Sequence, residues 1–158
     1  SDYINIAQGK TATASSFYAF DNKVYGLAQD LSGLDLNMFN PQHAVDGDIE
    51  TGWAPGLKNP SGIWWQLDLG RTERIDAFEY ITRKVNNIER RLFAILVSDD
   101  PEFGSYETLY EHGYYPMPLG KNWSKLLDKP VYGRYVRIVP KPGFASLFIS
   151  ELRLYKKQ

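Results

Sequence analysis

Short apolar runs separated by turn-forming residues dominate the chain and predict an all-β protein. Most runs are bounded by Gly, Pro, Asn or Asp, and helical periodicity is weak along nearly the whole length. The two leucines of segment 66–70 alternate with Gln66 and Asp68, which indicates a half-buried strand that ends at Gly70. The pattern predicts nine strands, at residues 4–8, 11–15, 63–69, 74–82, 89–98, 106–111, 123–128, 133–139 and 146–155.

Two connections between these strands carry further expectations. Segments 74–82 and 89–98 are predicted to form a hairpin around residues 83–88. Residues 17–43 lack a clean period although they hold many aromatic side chains, and residues 24–31 are predicted to form a short helical turn. A long irregular loop in a compact domain is usually functional, and its apolar content argues against disorder. No repeat or linker divides the chain, so residues 1–158 are predicted to form one domain.

Composition narrows the function classes. Hydrophobic residues make up 43% and charged residues 23% of the 158 residues, which is ordinary for a globular domain with its own core. The net charge is -1 without a long charged run, so neither nucleic acid nor an anionic membrane is favoured as a partner. No cysteine is present, which excludes disulfides and thiol chemistry and favours a bacterial or cytosolic protein over a secreted animal one.

Six motifs in a fixed order carry a resemblance to a known family. They are residues 5–16, Ala44-Val45-Asp46-Gly47 with Thr51 and Trp53, Trp64-Trp65-Gln66-Leu67-Asp68-Leu69-Gly70, residues 94–101, Arg134-Tyr135-Val136-Arg137-Ile138, and Ser150-Glu151-Leu152-Arg153-Leu154-Tyr155. In these motifs the chain resembles the discoidin domains, also called coagulation-factor type-C domains, and within them the bacterial family 32 carbohydrate-binding modules. The resemblance implies an all-β fold, a single galactose-binding-domain-like jelly-roll β-sandwich of about eight main strands. An architecture alone fixes no function.

The acidic turn that begins at Asp46 holds candidate ligands for a hard cation. Gly47 tolerates a tight backbone, so the turn can point several carbonyl oxygens inward, and Glu151 lies in the last predicted strand. On these residues alone, an ordinary β-turn beside an edge carboxylate is the alternative interpretation. The resemblance implies a structural Ca²⁺ held by the carbonyls of His43, Asp48 and Ser150, both oxygens of Thr51, and the carboxylates of Asp46 and Glu151.

The resemblance also implies a sugar site on loops at one end of the sandwich. Such a site needs an aromatic face for the apolar side of a pyranose and a few fixed polar groups for its hydroxyls. The family's Arg and the Asn that follows it correspond to Arg83 and to Asn86 or Asn87, and the family's stacking aromatic residue corresponds to Phe144.

One departure from the family pattern puts galactose specificity in doubt. Galactose-type members usually carry a His just after the Thr-x-Trp tryptophan, and Ala54 stands there in this chain. Alternative platforms for a ligand are Tyr114, Tyr115, Trp64, Trp123 and the 17–43 loop. Packing is the competing role for each of them and is favoured for Trp123, while Trp53 and Trp65 are expected in the core.

No catalytic pattern is found in the sequence. Neither His43 nor His112 lies near a nucleophile-elbow glycine pattern, and no zinc-type His spacing or phosphate-binding glycine loop occurs. The acidic pair Asp99-Asp100 is predicted to lie in a turn after a strand, so it does not indicate a glycosidase.

The expectation is therefore a non-catalytic module that anchors a larger secreted or cell-surface bacterial protein to a glycan or polysaccharide. The chain opens at Ser1-Asp2 without a signal peptide, as expected of a module cut from such a protein, whose other modules are further expected partners. A protein-interaction or adhesion domain is the main alternative. A domain that binds membrane surfaces through hydrophobic loop tips is less favoured.

Overall fold

Seven antiparallel strands and one 3-10 helix form the part of the chain that the computed structural model describes, residues 2–19, 37–82, 93–111, 122–143 and 147–158. The elements are β1 (Tyr3–Asn5), β2 (Thr11–Ala14), η1 (Pro41–Val45), β3 (Trp65–Ile81), β4 (Phe93–Ser98), β5 (Glu107–Glu111), β6 (Asn122–Pro140) and β7 (Glu151–Lys157). Hydrogen bonds join the strands in the order β1-β7-β3-β6-β4-β5, and β2 also pairs with β3. Within the described ranges, no helix has the length and apolar character needed to cross a membrane.

Two long strands each replace two predicted ones. The candidates at 63–69 and 74–82 are the two halves of β3, and those at 123–128 and 133–139 are the two halves of β6. The nine predicted strand segments therefore correspond to seven strands in the described residues.

Gly70 does not end its strand, in contrast to the prediction. It adopts φ 86° inside β3, and the register of β3 against β6 shifts between Asp68 and Glu73 and again between Ile75 and Ala77. Such irregularities bend a strand and increase its twist without ending its pairing. The turn-like residues of this region therefore mark a bend and not a strand end.

The bends carry β3 and β6 from one layer of the molecule to the other. At its start, β3 pairs with β2 and with the end of β6, and Trp65 lies opposite both Ala14 and Ile138. At its end, β3 pairs with β7 and with the start of β6, and Ile81 lies opposite both Glu151 and Asn122. One layer therefore contains β2, β4 and β5, the other contains β1 and β7, and the two long strands belong to both.

Aromatic contacts between the layers confirm the predicted sandwich. The rings of Tyr80 and Phe93 stack at 3.9 Å between centroids, and those of Phe78 and Tyr110 lie 4.9 Å apart. The end of β3 is not hydrogen-bonded to β4 or β5, so these rings meet across the space between the layers. The predicted core residues Trp53 and Trp65 are both fully buried.

The predicted hairpin between 74–82 and 89–98 is wrong. Residues 77–81 of β3 pair with β6 on one side and β7 on the other, while β4 pairs with β5 and β6. Both edges of β3 are thus occupied in one layer, and β4 lies in the other. Two neighbouring apolar runs predict strands but not which strands are partners. The connecting residues 83–92 and the predicted helical turn 24–31 lie outside the described residues.

Gly133 lies in the bend of β6, and no side chain fits there. A Cβ at this position would overlap Cγ1 of Val97 and would also contact the backbone of Ser98. We expect Gly133→Ala to lower the free energy of unfolding by about 1–3 kcal/mol, the usual cost of overpacking. Urea denaturation of the two proteins measures this difference.

A double-mutant cycle separates the steric cause from a change in backbone freedom. In a Val97→Ala background the overlapping methyl group is absent, so Gly133→Ala should cost less there than in the wild type. An equal cost in both backgrounds would show that the overlap with Val97 is not the reason.

Candidate functional site

The helix η1 fixes the start of the acidic turn. Asn40 caps it by accepting a 2.9 Å hydrogen bond from the Gln42 N–H, and Pro41, whose φ is already restricted, occupies its first position. The carbonyl of Pro41 accepts a 2.9 Å hydrogen bond from the buried indole of Trp65. Asp46 follows the helix directly, so its backbone is held by an element docked on the core.

Three oxygen atoms of the turn lie around the hydroxyl group of Thr51. Its Oγ1 lies 2.5 Å from Oδ2 of Asp46, 3.0 Å from the carbonyl oxygen of Asp48 and 3.5 Å from the carbonyl oxygen of His43. Gly47 adopts φ 85°, and this conformation lets the chain reverse between the two aspartates. The predicted ligands of the turn are therefore clustered.

Glu151 reaches this cluster from the first position of β7. Its Oε2 accepts a 2.9 Å hydrogen bond from the Gly47 N–H, and the residue is fully buried. Its other oxygen, Oε1, has no hydrogen-bond donor among the described residues. A buried carboxylate oxygen without a partner is costly, so the site lacks a positive or hydrogen-bonding group at this point.

Burial, helped by the facing carboxylate of Asp46, raises the pKa of Glu151 to about 7 against the opposing effect of the Gly47 N–H. A positive charge between two facing carboxylates favours the ionised form of both. The unpartnered Oε1 of Glu151 and the raised pKa of its carboxyl group therefore both indicate a position where a positive charge would be stabilising.

The donor set fits a hard cation such as Ca²⁺. Its atoms are all oxygens, and Ca²⁺ accepts carboxylate, carbonyl and hydroxyl ligands together. In the described ranges, no three His, Cys, Asp or Glu side chains form a metal-binding group, so only two carboxylates would carry charge here. The imidazole Nδ1 of His43 lies 2.6 Å from the carbonyl oxygen of Met38. The predicted ligand from His43 is its backbone carbonyl oxygen and not its ring.

A two-residue bridge joins the acidic turn to the start of β7. Trp53 and Ile149 exchange backbone hydrogen bonds of 2.8 and 3.0 Å. Gly52 lies close to the same backbone, because a Cβ there would be 2.7 Å from the carbonyl oxygen of Ile149. Ser150, the remaining predicted ligand, is buried and donates its N–H to the carbonyl of Ile81 at 2.8 Å. The six predicted metal ligands thus belong to one region.

Most of the predicted ligand-binding residues lie outside the described residues. They are Arg83, Asn86, Asn87, Tyr114, Tyr115 and Phe144. The described residues that flank their segments meet at one end of the sandwich. Ile81 pairs with Glu151, Phe93 pairs with Pro140, and Ala94 pairs with Glu111.

An open cavity of about 460 Å³ lies at the same end. Its walls combine apolar side chains, those of Leu57, Ile63 and Pro140, with the polar side chain of Asn59. Lys141 also lines it, and its ammonium group lies 3.6 Å from the Glu111 carboxylate. A concave apolar surface with a few polar groups is the usual form of a small-ligand site.

Trp64, a predicted ligand platform, packs against the side chain of Arg137. The guanidinium of Arg137 lies 4.7 Å from the centre of the Trp64 ring and 4.4 Å from that of Phe103. The same guanidinium donates a 2.8 Å hydrogen bond to Gln66. Trp123, the other tryptophan with two candidate roles, is partly buried and packs against the core with its ring 6.2 Å from that of Tyr110.

A series of three aromatic rings near Ala54 was missed by the sequence reasoning. Tyr18 and Phe39 pack edge to face at 5.7 Å, and Phe39 and Phe148 do so at 6.1 Å. The Tyr18 N–H donates a 2.8 Å hydrogen bond to the carbonyl of Ala54. The aromatic content of the 17–43 loop was the only signal in the sequence, and it did not specify these partners.

A family model for the F5/8 type C domain matches residues 12–150. The chain belongs to the F5/8 type C domain family. A comparison with curated proteins finds no match.

Solved structures share the fold of this F5/8 type C domain. The family 32 carbohydrate-binding module of NanJ from C. perfringens, in complex with galactose, is 17% identical, with 98% of this chain and 99% of that chain covered and a TM-score of 0.68. Chitosan-binding module 2 of a chitosanase/glucanase from Paenibacillus sp. IK-5, in complex with chitotriose, is 21% identical, with coverages of 96% and 100% and a TM-score of 0.65. A fucolectin from striped bass is 19% identical, with coverages of 98% and 48% and a TM-score of 0.74.

Without a cation, Glu151 should make the stability of this F5/8 type C domain depend on pH. Its pKa is about 7 in the folded protein against 4.5 for an unperturbed Glu, so the folded state binds the proton more tightly. The resulting stabilisation is complete below pH 4.5 and is lost as the pH rises to about 7.

Thermal unfolding in a chelator measures this effect. We expect the midpoint of the wild type to fall across the window, and the midpoint of Glu151→Gln, which has no proton to lose there, to change less. Parallel curves for the two proteins would contradict the raised pKa.

Proposed function

We propose that this F5/8 type C domain is a non-catalytic carbohydrate-binding module with a structural calcium ion. The observation that carries the proposal is the convergence, at one end of the sandwich, of the residues that flank the predicted sugar-binding segments, beside an open cavity. Structures of the same fold with bound galactose and bound chitotriose support a sugar as the ligand.

Each predicted residue has a defined role in this proposal. Phe144 stacks on the apolar face of a pyranose, and Arg83 offers a planar fork of donors to neighbouring hydroxyls. Asn86 or Asn87 adds one donor and one acceptor. The cavity beside Ile63 and Pro140 would hold the next sugar of a chain. The site performs no bond cleavage, and its output is the local concentration of a secreted or surface-attached bacterial parent protein at a glycan.

The calcium ion has a structural role in this proposal. It would be held by the carboxylates of Asp46 and Glu151, by both oxygens of Thr51, and by the carbonyls of His43, Asp48 and Ser150. When bound, the ion neutralises the two facing carboxylates and occupies the space beside the unpartnered Oε1 of Glu151. It would thereby link the acidic turn to the start of β7, where the strands reach the ligand end.

Calcium should raise the thermal midpoint of the wild-type protein. An ion present at a hundredfold excess over its dissociation constant contributes about 2.7 kcal/mol, or roughly 5–11 °C for a domain of this size. We expect the difference between calcium and chelator to disappear in Asp46→Ala and in Glu151→Gln. Differential scanning calorimetry in both conditions provides the measurement.

Asp48→Ala is the matched control for these variants. The Asp48 side chain accepts a hydrogen bond from the Glu50 N–H, whereas its carbonyl oxygen is the predicted ligand. The alanine variant keeps the carbonyl and should keep the calcium response. A wild type that responds to neither calcium nor chelator would contradict the calcium proposal.

Binding to a broad glycan and polysaccharide panel, with calcium present, tests the sugar proposal. Arg83→Ala and Phe144→Ala should each weaken binding to the glycan that the wild type binds by roughly tenfold or more, without a change in thermal midpoint. Tyr106→Ala is the control, because Tyr106 is exposed on a different part of the molecule. Unchanged affinity in both site variants would move the sugar site away from these loops.

A protein partner is the second candidate function. Leu57 at the rim of the cavity is 63% exposed, and the backbone of Phe17, another exposed apolar residue, lies close to Gly56. Neighbouring exposed apolar side chains are typical of interaction surfaces. The absence of binding to every glycan of the panel would favour this alternative.

A further inference from the structure

The outer face of the layer that contains β1 and β7 carries a groove that shares no lining residue with the cavity at the loop end. Ala77 lies directly opposite Tyr155 of β7 on one side and Leu126 of β6 on the other. Residues in direct register point to the same face of a sheet, and the adjacent residues Phe78 and Leu154 are buried on the inner face. The small Ala77 side chain is therefore the floor of a trough between two larger ones.

The trough is open and of a size suited to a small ligand. Its volume is about 480 Å³, and its lining is completed by Tyr3, Phe78, Ser124 and Lys125. Neighbouring strands lie about 4.8 Å apart, so the backbones that carry Tyr155 and Leu126 are about 10 Å apart across the floor. Leu126, which forms one wall of the trough, is 62% exposed.

Tyr155, Ala77 and Leu126 form an apolar row across three strands. A row of polar residues lies beside it. Glu79 lies opposite Arg153 on one strand and Ser124 on the other, two residues along from Ala77. Nη1 of Arg153 donates a 2.7 Å hydrogen bond to Oε1 of Glu79, and Arg153 also hydrogen-bonds Tyr155. The two rows together present an aromatic and aliphatic strip next to a connected set of charged and hydroxyl groups.

We propose that this groove is a second carbohydrate site, which binds one or two pyranose rings of a glycan on the outer face of the sheet. A pyranose has an apolar C–H face and a rim of hydroxyls, and the paired rows have the same division. The inference rests on the proposed function only in its ligand class, because it uses none of the residues of the loop end.

The dimensions of the apolar strip favour a sugar over a protein. A stable protein interface buries about 800 Å² on each partner, with an apolar centre. Here β7, β3 and β6 each contribute one residue to the apolar strip. On β7, the next residues on the same face are the charged residues Arg153 and Lys157. A strip of this width covers a sugar ring but not the centre of a protein interface.

The residues of the groove and of the polar row beside it then have specific tasks. Tyr155 and Tyr3 provide aromatic surface for the C–H face, and Ala77 leaves the space that the ring fills. Glu79 and Arg153 hold each other in place and offer acceptors and donors to the hydroxyls. Because the ion pair exists without ligand, little ordering is needed when a sugar binds.

Amide shifts in NMR spectra of the whole domain test the inference, with calcium present. The probes are chitotriose, lactose, cellotriose and mannotriose at millimolar concentration. We expect at least one probe to shift the amides of Ala77, Leu126 and Tyr155. Ala77→Leu fills the floor and Tyr155→Ala removes a ring, so each should weaken this response by roughly tenfold.

Two controls make the result specific. Tyr132→Ala removes an exposed tyrosine that does not line the groove, and its response should equal that of the wild type. Arg83→Ala alters the loop end and should leave the groove response intact. Thermal midpoints verify that each variant is folded, and Ala77→Leu, on a partly exposed position, remains informative if Tyr155→Ala fails to fold.

The outcomes separate the two sites. Shifts confined to the loop end would overturn the second site and leave the proposed function standing. Shifts confined to the groove would support the second site and contradict the loop-end site. No shift with any probe, or a dimer that Ala77→Leu dissociates in sedimentation, would overturn the second site.

Discussion

The two long strands β3 and β6 stay hydrogen-bonded to each other through both layers of the sandwich, and the other strands take their positions from this pair. One half of the pair accepts β2 and β4, and the other half accepts β7. Because both strands bend without separating, the two ends of β3, Trp65 and Ile81, return to the same end of the molecule. That end is therefore where connections from both layers meet, and it is where the cavity and the acidic turn are found.

Two acidic side chains, those of Asp46 and Glu151, face each other at this end of the molecule. Glu151 and Asp46 are brought face to face by the Trp53–Ile149 bridge, and the N–H of Gly47 satisfies only one oxygen of Glu151. Asp68, by contrast, has a lowered pKa because Arg134 donates hydrogen bonds to its carboxylate. The acidic turn thus differs from the surroundings of Asp68, because its buried carboxylate faces a second carboxylate and not a cation.

Some features of the molecule could be predicted from sequence and others could not. The strand pattern and the core positions of Trp53 and Trp65 follow from apolar periodicity, and the clustering of Asp46 with Glu151 followed from family resemblance. Strand partners did not follow, because periodicity contains no information on register. For the same reason the groove over Ala77 was not predicted: it exists only because β6 and β7 flank that residue.

The partners of β3 also bear on how quickly the chain can fold. β2, β6 and β7 meet β3 from positions far away in the sequence, and β1 pairs with β7 from the opposite end of the described chain, Tyr3 opposite Lys157. Among the described strands, β4 and β5 form the one pair joined by a short connection. Each remaining pair closes a long loop before its contacts form, so folding on the order of milliseconds to seconds is expected, with the β4–β5 pair available early.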